Sequence, residues 1–585
     1  MLNIEKQIKK VNLIEFSQIY PNANGNIENM LKDIPRQNLL DNLIYLSNSS
    51  LETNKRENYD ITLKKYFKNS NSECYTLIYR YLEQIEVKIN RSIDLFNSYT
   101  CLKVLEYVCS NLEKFPVSST TDIEAQKLNI LYAVFIQNED YNKIVKKNAT
   151  LLSNPPKFDE LVKYVISTNF AVHDVINFSP VEFFFQNIKG WLLFKFLFDD
   201  KRFQFHLKKI MEYYNCNDIE DLFFKTMNVL DTASLVDFSN NYTINTESEN
   251  KWLKIFIEKF IKIAEYDNSS IDFFQLKNYP ILKISENLYQ ITYLKFFLDK
   301  FYRSWYFQLK EIDDNADEEH KFKDIRATYC KDFTESILCV YFLERTFSKK
   351  VLKMTDSQIL EKIKSSGLVK KGITKSVPDF YIREGDSIFL FEIKDSLFSG
   401  KIKSSMDFND IEKSLSDKFN HKTVSGKELR GVPQLIGYIS DIVKSEHSYD
   451  GSTITDDTKF YSILLLADDV YNSLGINYLI NTWFDEELKN SDIPPSKYKL
   501  IHQLCVINID TLILLVNPIA SGKISLQLLI DMYVEECLSS EKSIRNLDKL
   551  VIPFSAYVYN YLLVSDIPME ENITSTFGKF LDGTL

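Results

Sequence analysis

No apolar run in this sequence approaches the roughly 18 residues that a bilayer-spanning helix requires. The richest stretch, WLLFKFLF from Trp191, is interrupted by Lys195 and followed by Asp199 and Asp200. Histidine is scarce, with six in 585 residues and no His-x-x-x-His pair, which argues against a zinc centre. The cysteines Cys74, Cys101, Cys109, Cys216, Cys330, Cys339, Cys505 and Cys537 include no Cys-x-x-Cys pair. A chain of this length needs no disulfide staples, so buried free thiols in a reducing cytosol are expected. Repeats of fixed period and low-complexity segments are also missing. The opening MLNIEKQIKK has no apolar core of signal-peptide length behind its charges, so a soluble, unexported, cytoplasmic protein is expected.

What is present sets the rest. A hydrophobic content of 45%, with abundant Phe and Tyr, excludes a mainly disordered chain, and the length implies roughly two to four domains. A net charge of −11 argues against a protein that coats nucleic acid with its whole surface. The local balance differs from Arg345 to Lys375, where nine Lys and Arg stand against only Asp356 and Glu361. That tract is expected to meet phosphates, with Lys349, Lys350, Lys370 and Lys371 as contacts, unless it is merely a solvated face.

The first half reads as helical. CLKVLEYVCSNLEKF carries apolar residues at 101, 104, 105, 108, 109 and 112, a helical stripe. TDIE from Thr121 and SPVE from Ser179 have the form of capping boxes, and Pro116 and Pro155-Pro156 mark breaks. The polar SNNYTINTESEN from Ser239 is expected to close this helical body. PILKISENLYQITY from Pro280 reads as a hairpin turning at Ser285-Glu286-Asn287, followed by an aromatic helix, LKFFLDKFYRSWYFQL. The acidic EIDDNADEEH from Glu311 is the best linker candidate. Beyond it helices and strands alternate, as in an α/β arrangement around a sheet. Three segments are therefore expected: a helical domain over 1–270, a hairpin, helix and acidic linker over 271–325, and an α/β domain over 326–585.

The stretch VPDFYIREGDSIFLFEIKDS, Val377 to Ser396, is apolar enough for sheet core yet carries Asp379, Glu392 and Lys394. Gly385-Asp386 suits a two-residue type II′ turn, with Gly at the position that requires positive φ. Counting outward from that turn sets residue 384 opposite 387 and Asp379 opposite Glu392. Alternation puts Glu392 and Lys394 on one face with Ile388 and Leu390. Opposed residues have Cβ atoms ~4.5–5.5 Å apart, so two carboxylates there repel unless a cation lies between them. Mg²⁺ suits the position, because it takes one or two carboxylates plus water and phosphate. An ordinary cross-strand salt bridge of this trio at a sheet edge is the rival reading.

Pro378-Asp379 followed by Glu392-Ile393-Lys394 resembles the signature of the PD-(D/E)XK nuclease superfamily. Upstream, DFTESILCVYFLER carries Glu335 on an expected helix, and downstream Gln434-Leu-Ile-Gly-Tyr438 resembles the Gln-x-x-x-Tyr motif of the RecB-like branch. The resemblance covers about Lys331 to Asp468, and residues 1 to 310 lie outside it. It implies a restriction-endonuclease-like domain, a central mixed sheet flanked by helices, joined to the α-helical N-terminal half. It further implies Mg²⁺-dependent phosphodiester hydrolysis, with Mn²⁺ as a substitute. Asp379, Glu392 and Glu335 would bind the metal, Lys394 would serve the attacking water, and Gln434 and Tyr438 would support them. DNA is preferred over RNA from the superfamily's habit alone. Lys401, Lys403, Lys413, Lys418 and Lys422, in the long connection from Leu397 to Lys427, would suit a substrate-gripping insertion. Glu335 equally fits a capping box with Asp332, and Gln434 and Tyr438 equally fit a core border. ASGKIS near Ser521 lacks the first Gly of a P-loop, where Asn517 stands, and reads as a loop. Arg202 and His206 lack the spacing of a HEPN-type RNase.

A large helical domain fused to such a nuclease resembles a restriction or phage-defence effector, by analogy of architecture. The helical half leaves room for a protein partner or an oligomer. The rivals are a non-catalytic helical scaffold or nucleic-acid-binding protein with a degenerate nuclease domain, and an RNA-cleaving effector.

Overall fold

A computed structural model describes residues 13–585 apart from 53–58, 69–71, 90–92, 154–155, 177–181, 235–241, 247–250, 262–271, 348–350, 367–375, 424–428, 566, 568–574 and 581–585. It divides into two units, one formed by Met1–Leu151 with Val172–Ala316, the other by Leu152–Ala171 with Asp317–Leu585. This differs from the three expected segments in two ways. Residues 152–171 cluster with the C-terminal part, and the expected connector is built into the first unit as far as Ala316. The reason for the second lies in a strand within the polar stretch: β1 (Thr243–Asn245) pairs antiparallel with β3 (Leu288–Ile291), which also pairs with β2 (Ile281–Lys283). Only Ile244 of β1 is buried, so the strand is polar in sequence because a single residue serves the core.

The rest of the described first unit is helical. Asn97 caps Ser98–Cys109, and Asp122 caps Ile123–Ala149, one residue later than the expected Thr121. The acidic run is not a free linker throughout. Its first residues finish the helix Arg303–Asp314, where Asp313 is buried 3.1 Å from His206 Nε2. The unit boundary falls further along that run, between Ala316 and Asp317.

The second unit is organised on a mixed five-stranded sheet. Its order is β10 (Cys505–Asn508), β9 (Lys459–Leu466), β6 (Ser387–Lys394), β5 (Phe380–Glu384) and β4 (Leu352–Thr355). The β4–β5 and β5–β6 pairs are antiparallel, while β6–β9 and β9–β10 are parallel. The mixed sheet is as expected, though the segment near Lys499 is mostly a 3₁₀ turn, Pro495–Leu500, with β10 starting only at Cys505. β6 lies in the middle. Its Ile388, Phe389, Leu390, Phe391 and Ile393 are at most 1% exposed, each contributing ~1.5–3 kcal/mol by burial. Burial on both faces explains why the strand reads as a continuous apolar run rather than an alternating one. A smaller ribbon, β7 (Asn420–Lys422) with β8 (Leu429–Gly431), leads into the helix Val432–Ser445. The residues around ASGKIS form a turn after the helix Ile509–Ala520, as expected.

Candidate active site

The hairpin that carries the site follows from its turn. Gly385 sits at φ +61 and Asp386 is outside the left-handed region, as a type II′ turn requires. Pairing runs from Glu384↔Ser387 to Phe380↔Phe391, and its next step sets Asp379 opposite Glu392. Asp379 N–H donates to the Phe391 carbonyl at 3.0 Å, and Asp379 Oδ2 accepts from Ile393 N–H at 2.6 Å. The aspartate is thereby held against the end of β6 by backbone groups.

Glu392 is fully buried. Its Oε1 lies 2.5 Å from Lys394 Nζ, and its Oε2 accepts a hydrogen bond from Tyr438 OH at 2.8 Å. This ion pair is not the cross-strand, sheet-edge bridge of the rival reading, since both residues belong to β6, the central strand. Lys394, the last residue of β6, keeps 23% of its side chain exposed, whereas the Glu392 it touches is fully buried. Burial works against the ammonium charge, but Glu392 and Asp379 outweigh it and hold the lysine protonated, above its ordinary range.

Gln434 and Tyr438 owe their positions to one glycine. Gly431 adopts φ +67, and a Cβ there would come within 2.3 Å of the Phe419 carbonyl oxygen, so another residue would have to displace backbone. The helix begins at that point, and Gly431 N–H donates to Gln434 Oε1 at 2.8 Å. Gln434 Nε2 in turn reaches Tyr438 OH at 3.4 Å, a long contact. Gln434 is therefore first a helix cap, and through Tyr438 a support for Glu392. Tyr438 is buried but not a mere core border, since its hydroxyl is spent on the carboxylate.

Glu335 is not a capping residue. The helix that carries it starts ten residues earlier in its chain, with Asp324 accepting from Ala327 N–H at 3.0 Å, and Asp332 and Glu335 lie inside a π-helical stretch, Tyr329–Cys339. π-Helical segments are uncommon and recur at functional sites. Among the described residues Glu335 makes neither a hydrogen bond nor an ion pair. Burial pushes its carboxyl up to about 7, with Lys394 opposing and Glu392 adding to the rise. Asp379 is raised well above the usual carboxylate range, first by burial, then by the neighbouring Glu392; Lys394 opposes this and Glu335 reinforces it. The three carboxylates and the lysine therefore share one field.

Sequence reasoning missed the residue that fastens this helix to the strand. Asp395, directly after Lys394, accepts from Arg326 at 2.5 Å and from Thr334 Oγ1 at 2.8 Å, while its carbonyl oxygen accepts from Arg326 at 2.7 Å and weakly from Cys330 Sγ at 3.4 Å. Residues 326, 330 and 334 repeat every four along the helix, a spacing visible in sequence, but their common target is visible only in the fold.

Lys349, Lys350, Lys370 and Lys371 lie outside the described residues. Within the same tract Lys353 is committed to structure, 3.1 Å from Glu344 and bonded to two carbonyls, and Arg345 stacks on Tyr341. In the Leu397 to Lys427 connection Lys403 is buried and Lys422 pairs with Glu487, so these two do not present free cations to a substrate.

The donor set suits a hard divalent cation. Glu392 Oε1 is a buried oxygen whose only partner among the described residues is Lys394, and Asp379 Oδ1 accepts no hydrogen bond among them. No group of three or more His, Cys, Asp or Glu side chains among the described residues is close enough to hold a metal by itself. Mg²⁺ needs only one or two carboxylates, the remainder of its shell being water and phosphate. Comparison with protein-family models, with curated proteins and with solved structures finds no match to this chain.

Proposed function

We propose that this protein is a Mg²⁺-dependent nuclease that hydrolyses phosphodiester bonds, with DNA as its preferred substrate. Its C-terminal unit would be restriction-endonuclease-like, of the PD-(D/E)XK type. One observation carries this reading. Asp379, Glu392 and Glu335 bear on one lysine at the end of a buried central strand, and among the described residues two of these carboxylates touch no cation. Perturbed ionisable groups concentrate at functional sites, where burial and like charges are brought together.

Asp379 and Glu392 would hold the metal, with Glu335 as a third ligand or a partner of its water. When bound, Mg²⁺ supplies charge stabilisation at the phosphoryl oxygens and makes a neighbouring water more acidic. Lys394, kept protonated, orients the attacking water and offers its charge to the developing oxyanion. Tyr438 holds Glu392 from behind, so the carboxylate presents Oε1 forward. In this reading the protein acts in the cytoplasm as a restriction or phage-defence effector. Among the described residues no helix is long and apolar enough to cross a membrane.

The test is cleavage of labelled duplex DNA, single-stranded DNA and RNA by the full chain. Mg²⁺ or Mn²⁺ should support it, EDTA should stop it, and Asp379→Asn, Glu392→Gln and Lys394→Met should each remove it. Cleavage that continues in chelator, or in all three variants, would overturn the reading. A second reading, binding of nucleic acid without catalysis, is favoured by the closed Lys394–Glu392 pair, which occupies both groups. It predicts binding in the same assays with no cleavage under any metal.

A further inference from the structure

Three cations from three different elements come near this site, joined through Tyr471, whose hydroxyl donates to the Ser396 carbonyl at 2.8 Å beside Asp395 and whose ring lies 4.9 Å from that of Phe419, the neighbour of Lys418. Arg326, on the helix before the π-helical stretch, is anchored to Asp395, the neighbour of Lys394. Lys418 is near the end of the helix Phe408–Phe419. Arg430 lies on β8, opposite His421 of β7 and next to the Gly431 that starts the chain of bonds through Gln434 and Tyr438 to Glu392. The close approach of Phe419 to Gly431 brings the segments carrying Lys418 and Arg430 together. Lys418 is half-buried and, among the described residues, has neither an ion pair nor a hydrogen bond. Burial makes its charged form costly, and repulsion from Arg326 and Arg430 adds to that cost against a partial offset by Asp417. Among the described residues Asp417 is the carboxylate that bears on Lys418, and Asp395 is engaged by Arg326 and Thr334. A partly buried cation that is repelled by two arginines and offset only in part is stabilised by an anion, and a phosphate suits guanidinium and ammonium donors together.

We propose that Arg326, Lys418 and Arg430 form a phosphate-binding subsite that grips the sugar–phosphate backbone of a nucleic-acid strand beside the candidate active site. The inference rests on the nuclease reading for its ligand. It places the grip on residues that motif reading did not single out, save Lys418, and it requires no base contact, so binding there is indifferent to sequence.

Binding is measured by fluorescence anisotropy with a labelled oligothymidylate of ~20 nucleotides, in EDTA so that no cleavage intervenes. Lys418→Gln and Arg430→Gln should each weaken binding about tenfold, as expected for loss of a charge-assisted contact. Each should also flatten the log-affinity against log-salt slope by ~0.7. Lys418→Arg should restore both quantities, while Lys143→Gln, an exposed lysine of the first unit, should change neither. Unchanged affinity and slope in both Gln variants would overturn the subsite while leaving the nuclease reading intact. So would weakened binding accompanied by a lower Tm that Lys418→Arg does not repair, which marks a structural role. Competition by thymidine monophosphate or inorganic phosphate at concentrations comparable to the strand would overturn the backbone assignment in favour of a small phosphate ligand. A wild-type chain that neither binds the strand nor cleaves any substrate with Mg²⁺ would overturn the nuclease reading, and the subsite with it.

Discussion

Two lysine clusters, one in each unit, are built from the same residue types and resolve their charges differently. In the first unit Lys277 Nζ lies 2.9 Å from Asp174 and 2.8 Å from Asp272, so both carboxylates touch the one cation. Nearby in sequence, fully buried Lys295 lies 2.8 Å from Glu182. In the second unit Lys394 touches only Glu392, while Asp379 and Glu335 touch no cation among the described residues. The first arrangement is what folding alone demands, because a desolvated charge is costly unless its partner is in contact. The second leaves negative charge over, at the mouth of a buried strand. The surplus is stable only with a proton or an added cation, and that distinguishes a site from a structural ion pair.

The comparison breaks most visibly if both clusters respond alike to neutralisation. Asp379→Asn should lower cleavage by ~10³-fold or more, through loss of charge stabilisation in the transition state. In EDTA the same variant should be as stable as wild type, or slightly more so, since repulsion with Glu392 is relieved. Urea denaturation and initial rates check the two halves of that statement. Glu182→Ala in the first unit should do the reverse, costing ~2–3 kcal/mol by taking from buried Lys295 its nearer carboxylate and leaving Asp299 at 4.0 Å. Each molecule that remains folded should retain its activity, which a rate normalised to folded protein measures.

A pH series sharpens the contrast. The Glu335 carboxyl is raised to about 7 in the folded chain, from 4.5 when it is free of the fold. Between those values the unfolded chain has released this proton and the folded chain still holds it. The contribution is therefore full below pH 4.5, and stability is lost as pH climbs through 7. With its partial exposure discounted, the loss amounts to ~1–2 kcal/mol in metal-free protein. Asp379, raised further by burial and by Glu392, adds a loss of the same sign. Glu335→Gln should flatten the dependence between pH 5 and pH 8 in denaturation curves taken in EDTA, and Mg²⁺ should reverse it in wild type. The smallest effect is expected at the support. Gln434→Ala removes the bond to Gly431 N–H and should cost ~1 kcal/mol, a capping loss, with only a modest fall in rate.

How much of this was legible in the sequence depended on the range of the interactions. The β5–β6 hairpin could be read to the residue, because a two-residue turn fixes the register of everything beyond it. The opposition of Asp379 and Glu392 followed from counting alone, and the helix Val432–Ser445 followed from its apolar period. Local signals misled where a longer element overrode them. Asp332-x-x-Glu335 has the form of a cap, yet the helix was already running from Asp324. The polar stretch from Ser239 concealed β1, whose partner β3 lies more than forty residues away in the sequence. Asp395, Arg326 and Arg430 carried no motif at all. They matter through contacts between distant segments, which no local pattern records.

The central claim is that the surplus carboxylates form a cation site. Mn²⁺ binding, followed by titration calorimetry on wild-type protein and on Asp379→Asn, tests it most directly. The account predicts that wild type binds Mn²⁺, that Mg²⁺ displaces it, and that Asp379→Asn loses the binding while remaining folded. Equal binding by both proteins, or none by wild type, would contradict it.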